Sequence, residues 1–239
     1  MSLNPAVLEL VGEMITVGAV SFRDVENGEE PFLYSSGNRG PGYVMVKGLV
    51  SQRALLRNLT WQLTLKVGEQ FPDVDYVAGN ATGGMIPGWL VAEHLTTLTG
   101  RHIPYFYVRG TRKQGGHGEV ITGDKLNPFF APGRRGLVVE ELVNFAETTT
   151  NSTLEQRKAG YDVQYAATIL SYDHDRMKQK LEAAAVTLIS LITLSELLEV
   201  ADRKFPKRLV DDYRTFLKNP KQWQLDRGYE LPKQEKENT

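Results

Sequence analysis

Three times along this chain a short apolar run of strand length breaks into a turn-rich polar segment. Residues 75–78 run into Gly79-Asn80-Ala81-Thr82-Gly83-Gly84, residues 104–108 into the basic, Gly-rich stretch 109–123, and residues 136–139 into 140–148. Helical patterns separate them: Leu55, Leu56, Leu59 and Leu63 within 51–66, then 86–98, then 149–158. Short strands alternating with helices predict an α/β fold with a mostly parallel sheet covered on both faces. Ligands of such sheets sit beyond the carboxyl ends of the strands, so the three turn-rich segments are the candidate site.

The flanks read more simply. Asn4-Pro5 followed by Val7, Leu8, Leu10, Val11 and Met14 predicts a capped helix with Pro at its first position. Turns are expected in the Gly-rich part of 32–50, then a strand or hairpin arm in YVMVKGLV. Ser51 is a candidate N-cap for the next helix. Residues 164–170 read as another buried strand, and 186–192 as either a final strand or part of a helix beginning near Asp175. Helices are expected over 194–200 and 208–217, with a frayed polar end beyond. The domain reading is an N-terminal helix and hood segment over 1–50, an α/β core over 51–217 and a polar tail over 218–239.

Composition excludes several function classes. A net charge of -1 gives no global field for nucleic acid or an anionic membrane. The absence of cysteine excludes disulfides, thiolate metal sites and cysteine nucleophiles, and fits a reducing cytosol. The longest apolar run, 183–194, falls short of the roughly 20 residues of a membrane helix. No basic segment leads into an apolar one at the N-terminus, so no secretory signal is expected. A cytoplasmic protein with neither nucleic-acid nor membrane partners is the expectation.

From about Phe32 to about Leu217 the order of segments resembles the orotate phosphoribosyltransferases, which have the type I phosphoribosyltransferase fold. The matching pieces are Phe32, Ser35-Ser36-Gly37, Gly40-Pro41 and Tyr43; Lys47-Gly48-Leu49-Val50-Ser51; the strand–turn–helix ending in Ile86-Pro87; the basic loop closing on His117-Gly118; and Leu137-Val138-Val139 followed by Glu140 and Glu141. The resemblance implies a twisted, mostly parallel sheet flanked by helices, with a small N-terminal hood. It implies transfer of phosphoribose from 5-phosphoribosyl-1-pyrophosphate (PRPP) to orotate in pyrimidine nucleotide synthesis. Magnesium would accompany the pyrophosphate, and no resident metal site is expected. A homodimer exchanging the basic loop is also implied. Carried over by position, Arg112, Lys113 and His117 would be catalytic. Ser36, Gly37, Tyr43, Gly83, Gly84, Arg109, Glu140, Glu141, Asn144, Ala146 and Thr148 would hold PRPP, orotate or a related sugar or nucleotide.

The chain departs from the family pattern where ligands are held. The family's substrate lysine falls on Ser35, and its Tyr-Lys pair falls on Gly83-Gly84. The small, hydroxyl-rich phosphate loop reads Asn144-Phe145-Ala146-Glu147-Thr148. Glu147 puts a carboxylate where a phosphate dianion is expected. At 4 Å and an effective dielectric near 20 a like-charge pair costs roughly 4 kcal/mol, unless the side chain turns outward or is protonated. Two readings therefore stand: an orotate phosphoribosyltransferase-like enzyme, and an inactive or repurposed binding or regulatory protein on the same fold. Asp173-His174-Asp175 has the composition of a metal site but sits at a strand end, where the family carries an Asp-Arg pair.

Overall fold

The computed structural model describes residues 4–110 and 119–232, which form two compact units. In chain order the elements are α1 (Pro5–Thr16), β1 (Val20–Phe22), β2 (Phe32–Leu33), β3 (Arg39–Gly40), β4 (Gly42–Val44), α2 (Arg53–Gln70), β5 (Tyr76–Asn80), α3 (Met85–Thr99), β6 (Tyr105–Val108) and β7 (Ile121–Thr122). There follow β8 (Arg135–Val143), α4 (Glu147–Lys158), β9 (Asp162–Ser171), α5 (Asp175–Ala183), β10 (Thr187–Thr193), α6 (Leu194–Ala201), α7 (Lys207–Lys218) and α8 (Pro220–Asp226).

The larger unit, residues 4–10 with Val46–Leu197, is built on a six-stranded sheet in the order β10-β9-β8-β5-β6-β7. All neighbours are parallel except β6 and β7, so the parallel sheet expected from the alternation is present. Helices α2 and α3 cover one face and α4 and α5 the other. Leu59, Leu63 and Val67 of α2 and Val91 and Leu95 of α3 are fully or almost fully buried. On the opposite face Phe106, Val138, Val163, Ala166, Met177 and Leu181 close a second apolar layer, into which the methyl of Ala146 also packs. Burial of this kind contributes roughly 25 cal/mol per Å² of apolar surface.

The second unit joins Val11–Met45 to the chain from Leu198 onward. Here β1 pairs antiparallel with β4, and β2 with β3. Aromatic rings fill it: Phe22 meets Phe205 and Tyr213, while Tyr34 and Trp223 meet Phe216.

Several local expectations are corrected. Strand β8 continues through Val143, so Glu140 and Glu141 lie in the strand rather than in a loop after it. Hydrogen bonds to the Glu140 carboxylate make its burial tolerable. Residues 46–51 form a 3-10 turn, not a continued strand, because Val46 and Leu49 are the buried pair and three is that turn's period. Ser51 does not cap α2: the cap position is Gln52, and the Ser51 hydroxyl donates to the Gly48 carbonyl. Of the two readings of 186–192, the strand holds, with α5 a separate helix before it. Residues 220–226 of the expected frayed end form α8, capped by Asn219, with Trp223 buried.

Candidate functional site

The sheet order places the sequence's first parallel strand of the larger unit, β5, beside its third, β8, with the second, β6, on the far side of β5. Chain connections therefore diverge between β5 and β8: α3 follows β5 onto one face and α4 follows β8 onto the other. A crevice opens beyond the carboxyl ends of two such strands. Gly79 pairs with Val139, which sets Asn80 and Glu140 side by side at that crevice.

Glu140 is 5% exposed. Its Oε1 accepts from Asn80 Nδ2 at 2.6 Å, Thr148 Oγ1 at 2.9 Å and Thr149 Oγ1 at 3.3 Å. Burial, with a smaller contribution from the Glu141 charge, pushes the Glu140 carboxyl up to about 7 despite these donors. Asn80 Oδ1 is buried and meets no donor among the described residues. Sequence reasoning named the loop 79–84 but missed Asn80 itself; its signal is a polar residue ending an otherwise apolar strand.

The turn after β5 is shaped by close backbone approach. A Cβ on Gly83 would lie 1.9 Å from the carboxyl of Glu141, and one on Gly84 would lie 2.2 Å from the Val139 carbonyl oxygen. The carboxylate of Glu141 thus occupies the space in which a side chain at 83 would begin. Burial raises the Glu141 carboxyl, and the Lys47 charge opposes that rise.

Between β8 and α4 the chain turns through Ala146 in the left-handed region, φ 60°. The unusual residues of this turn face α5. Asn144 Oδ1 lies 3.0 Å from His174 Nε2, the Phe145 ring packs on His174 at 4.9 Å, and Arg176 sits 4.9 Å over the same ring. Glu147 pairs with Lys180 at 2.9 Å and lies 3.9 Å from Arg176. Lys180 holds the Glu147 carboxyl below its usual range. Glu147 thus meets the condition under which the like-charge cost is relieved: its carboxylate is turned outward. No side chain caps α4. Among the described residues no acceptor meets the N–H groups of Glu147, Thr148 or Thr149. Uncapped N–H groups at a helix start, with the helix dipole behind them, favour an anion.

Beside this turn is a cavity of about 270 Å³ whose lining includes Asn80, Arg109, Thr148, Asn151 and Lys158. Arg109 donates to the Tyr107 hydroxyl at 3.2 Å, while its buried Nε meets no acceptor among the described residues. Gly83, Gly84, Arg109, Glu140, Glu141, Asn144, Ala146 and Thr148 all belong to the larger unit; Arg109 and Thr148 line the cavity, Glu140 accepts from Thr148, Glu141 packs at Gly83, and Asn144 faces α5. Ser36, Gly37 and Tyr43 belong to the second unit. There Ser36 Oγ accepts from Asn38, Gly37 takes φ 79° and Tyr43 stacks on Tyr34. Arg112, Lys113 and His117 lie outside the described residues. His174, read as a weak metal candidate, caps α5: its Nδ1 accepts from the Met177 N–H. Among the described residues no three acidic or histidine side chains converge as a metal site.

No protein-family model matches the chain. Orotate phosphoribosyltransferase of Streptococcus sanguinis is 26% identical over 194 residues, covering 81% of this chain and 86% of that one. Among solved structures, orotate phosphoribosyltransferase from Aeropyrum pernix superposes with a TM-score of 0.63 at 26% identity, over 81% of this chain and 98% of that one. Leishmania donovani UMP synthase superposes with a TM-score of 0.68 at 21% identity over 89% of this chain, which spans 42% of that longer protein and shows a shared fold. Sheet order, switch-point acids and these likenesses define a type I phosphoribosyltransferase fold. Within that class the relatives named here are orotate phosphoribosyltransferases, to which the chain is similar over about four fifths of its length.

Proposed function

We propose that this chain binds PRPP at the β5/β8 crevice and transfers its phosphoribosyl group to orotate, releasing pyrophosphate. The observation that carries this reading is the uncapped start of α4 behind the left-handed Ala146, next to two acids at the switch point. In it the 5-phosphate meets the N–H groups of 147–149, and the acids face the ribose hydroxyls. Arg109, whose Nε meets no acceptor among the described residues, faces the pyrophosphate. Magnesium suits hard carboxylate and phosphate oxygens and is commonly held by one or two carboxylates plus substrate phosphates. Glu140 and Glu141 are donors of that kind, and a bound ion would neutralise charge on the leaving pyrophosphate. Arg112, Lys113 and His117 would join them as cationic groups over the leaving group. A homodimer and a cytoplasmic location belong to the same reading; Ile86 and Trp89, half exposed on α3, offer apolar surface for a second copy. The test is pyrophosphate release in a coupled assay with orotate, PRPP and magnesium. Turnover is expected, and its absence at millimolar substrate defeats the transferase reading.

A second reading, ligand binding without transfer, is favoured by one observation. The Glu141 carboxylate lies where a Cβ at Gly83 would begin, and Gly84 supplies no cation for pyrophosphate. Calorimetry showing PRPP binding with no product formed would select it.

A further inference from the structure

Glu147 opens α4, and two pulls act on its carboxylate. One comes from its own helix. The N–H groups of residues 147–149 meet no acceptor among the described residues, and an acid in the first turn is drawn to that end of the helix dipole. The other comes from α5, where Lys180 Nζ donates to Glu147 Oε1 at 2.9 Å and Arg176 lies 3.9 Å from the same oxygen. The second pull prevails, since the carboxylate accepts from Lys180. We propose that Lys180 is a positioning residue for phosphate binding: by holding Glu147 against α5 it keeps the start of α4 open for a sugar phosphate, which the Glu147 carboxylate would otherwise crowd.

This inference rests on the proposed phosphate site and names what keeps that site free. An observation apart from the helix start also points to a ligand there. Asn80, 4% exposed, lines the adjoining cavity together with Thr148, and its Oδ1 meets no donor among the described residues. At the helix start two anions compete for one set of donors, and like charges brought that close repel strongly. Lys180 decides the competition in favour of the ligand. The Glu147 and Lys180 side chains are 56% and 38% exposed, so their pairing adds little to stability. Its consequence is where the charge is put. Arg176 is the weaker holder, because its contact is longer and its guanidinium also lies over the Phe145 ring. Lys178 is engaged elsewhere, 3.3 Å from Asp173. The partners are 33 residues apart, so nothing local to α4 does this work.

A double-mutant cycle read by calorimetric titration of ribose 5-phosphate into the full chain tests this, at low salt and near neutral pH. Lys180→Met keeps the apolar stem and removes the charge. It should raise Kd roughly three- to tenfold, a modest factor because solvent screens an exposed pair. In the Glu147→Gln background the same substitution should raise Kd less than about twofold, since no carboxylate is left to release. Lys180→Arg, which keeps the charge, should bind within about twofold of wild type and serves if Lys180→Met disturbs folding. The coupling between the two positions should shrink as salt is added. An equal loss in both backgrounds means that Lys180 acts on the ester directly or through the fold, and overturns the inference. So does an unchanged Kd in Lys180→Met, and either result leaves the phosphate site standing. Absence of ribose 5-phosphate binding by both wild type and Glu147→Gln overturns the site and the inference together.

Discussion

The glycines at 83 and 84 do different jobs although they are adjacent. A Cβ at 83 meets the end of the Glu141 side chain, which can rotate away; a Cβ at 84 meets the backbone oxygen of Val139, which cannot. Gly83→Ala should therefore cost below about 1 kcal/mol of stability, while Gly84→Ala should cost about 1–3 kcal/mol through overpacking. Urea denaturation of the two variants checks this, and equal costs would refute it. Gly84→Lys, which restores the family's residue, should be as destabilising as Gly84→Ala and should not strengthen pyrophosphate binding. Ala146 shows how a poor backbone choice is tolerated. Its left-handed conformation costs roughly 1–2 kcal/mol, while its buried methyl returns about 0.8 kcal/mol that a glycine would forgo.

At the scale of elements, the turn before α4 is held by α5 rather than by its own sequence. Asn144, Phe145 and Glu147 contact His174, Arg176 and Lys180. Within the sequence these look like damage to a phosphate loop, because their partners lie about 30 residues further on. Short-range signals were legible where the energy is local. The strand–helix alternation that predicts the sheet is one case, and Asn4-Pro5, which starts α1, is another. The same Asn-Pro signal at 219–220 starts α8 and was hidden only by the polar residues around it. Glu140 and Glu141 lie at the β5/β8 crevice, but hydrogen bonding across β5, β8 and α4 decides what Glu140 contacts, and no spacing rule reports that. His174 offers a test of the α5 contact. Its Nδ1 accepts from Met177, so the neutral ring with Nε2–H toward Asn144 is the form that fits. Burial first, then the Arg176 charge, lowers its folded pKa below 6.5. A base with a lowered folded pKa contributes stability in full above 6.5 and loses it as pH falls below 6.5 toward the folded value. The fall in Tm between pH 7 and 5 should be shallower in His174→Asn, which keeps a capping oxygen and does not titrate. Parallel slopes would remove His174 from the account.

At the scale of the whole molecule, the chain leaves one unit and returns to it. Residues 11–45 and those from 198 onward make a core of their own, while the sheet with its crevice is made by 46–197. Trp223 is the key side chain of the second unit. It is 2% exposed, its Nε1 donates to Asp212 at 2.7 Å, and Arg227 covers its ring while pairing with the same Asp212. Truncating a buried tryptophan costs about 3–5 kcal/mol by lost transfer and cavity terms. Because the two cores are built from separate sets of residues, that loss should fall on the second unit. In Trp223→Ala, hydrogen exchange should accelerate in β1, β4 and α7, by two orders of magnitude or more. Exchange in β5, β8 and β9 should change far less. The remaining tryptophans, Trp61 and Trp89, both sit in the larger unit, so their fluorescence follows its unfolding without interference from the substituted site. If exchange in the central sheet rises by the same factor, the two units unfold together, and the division into two cores does not describe how this chain is held.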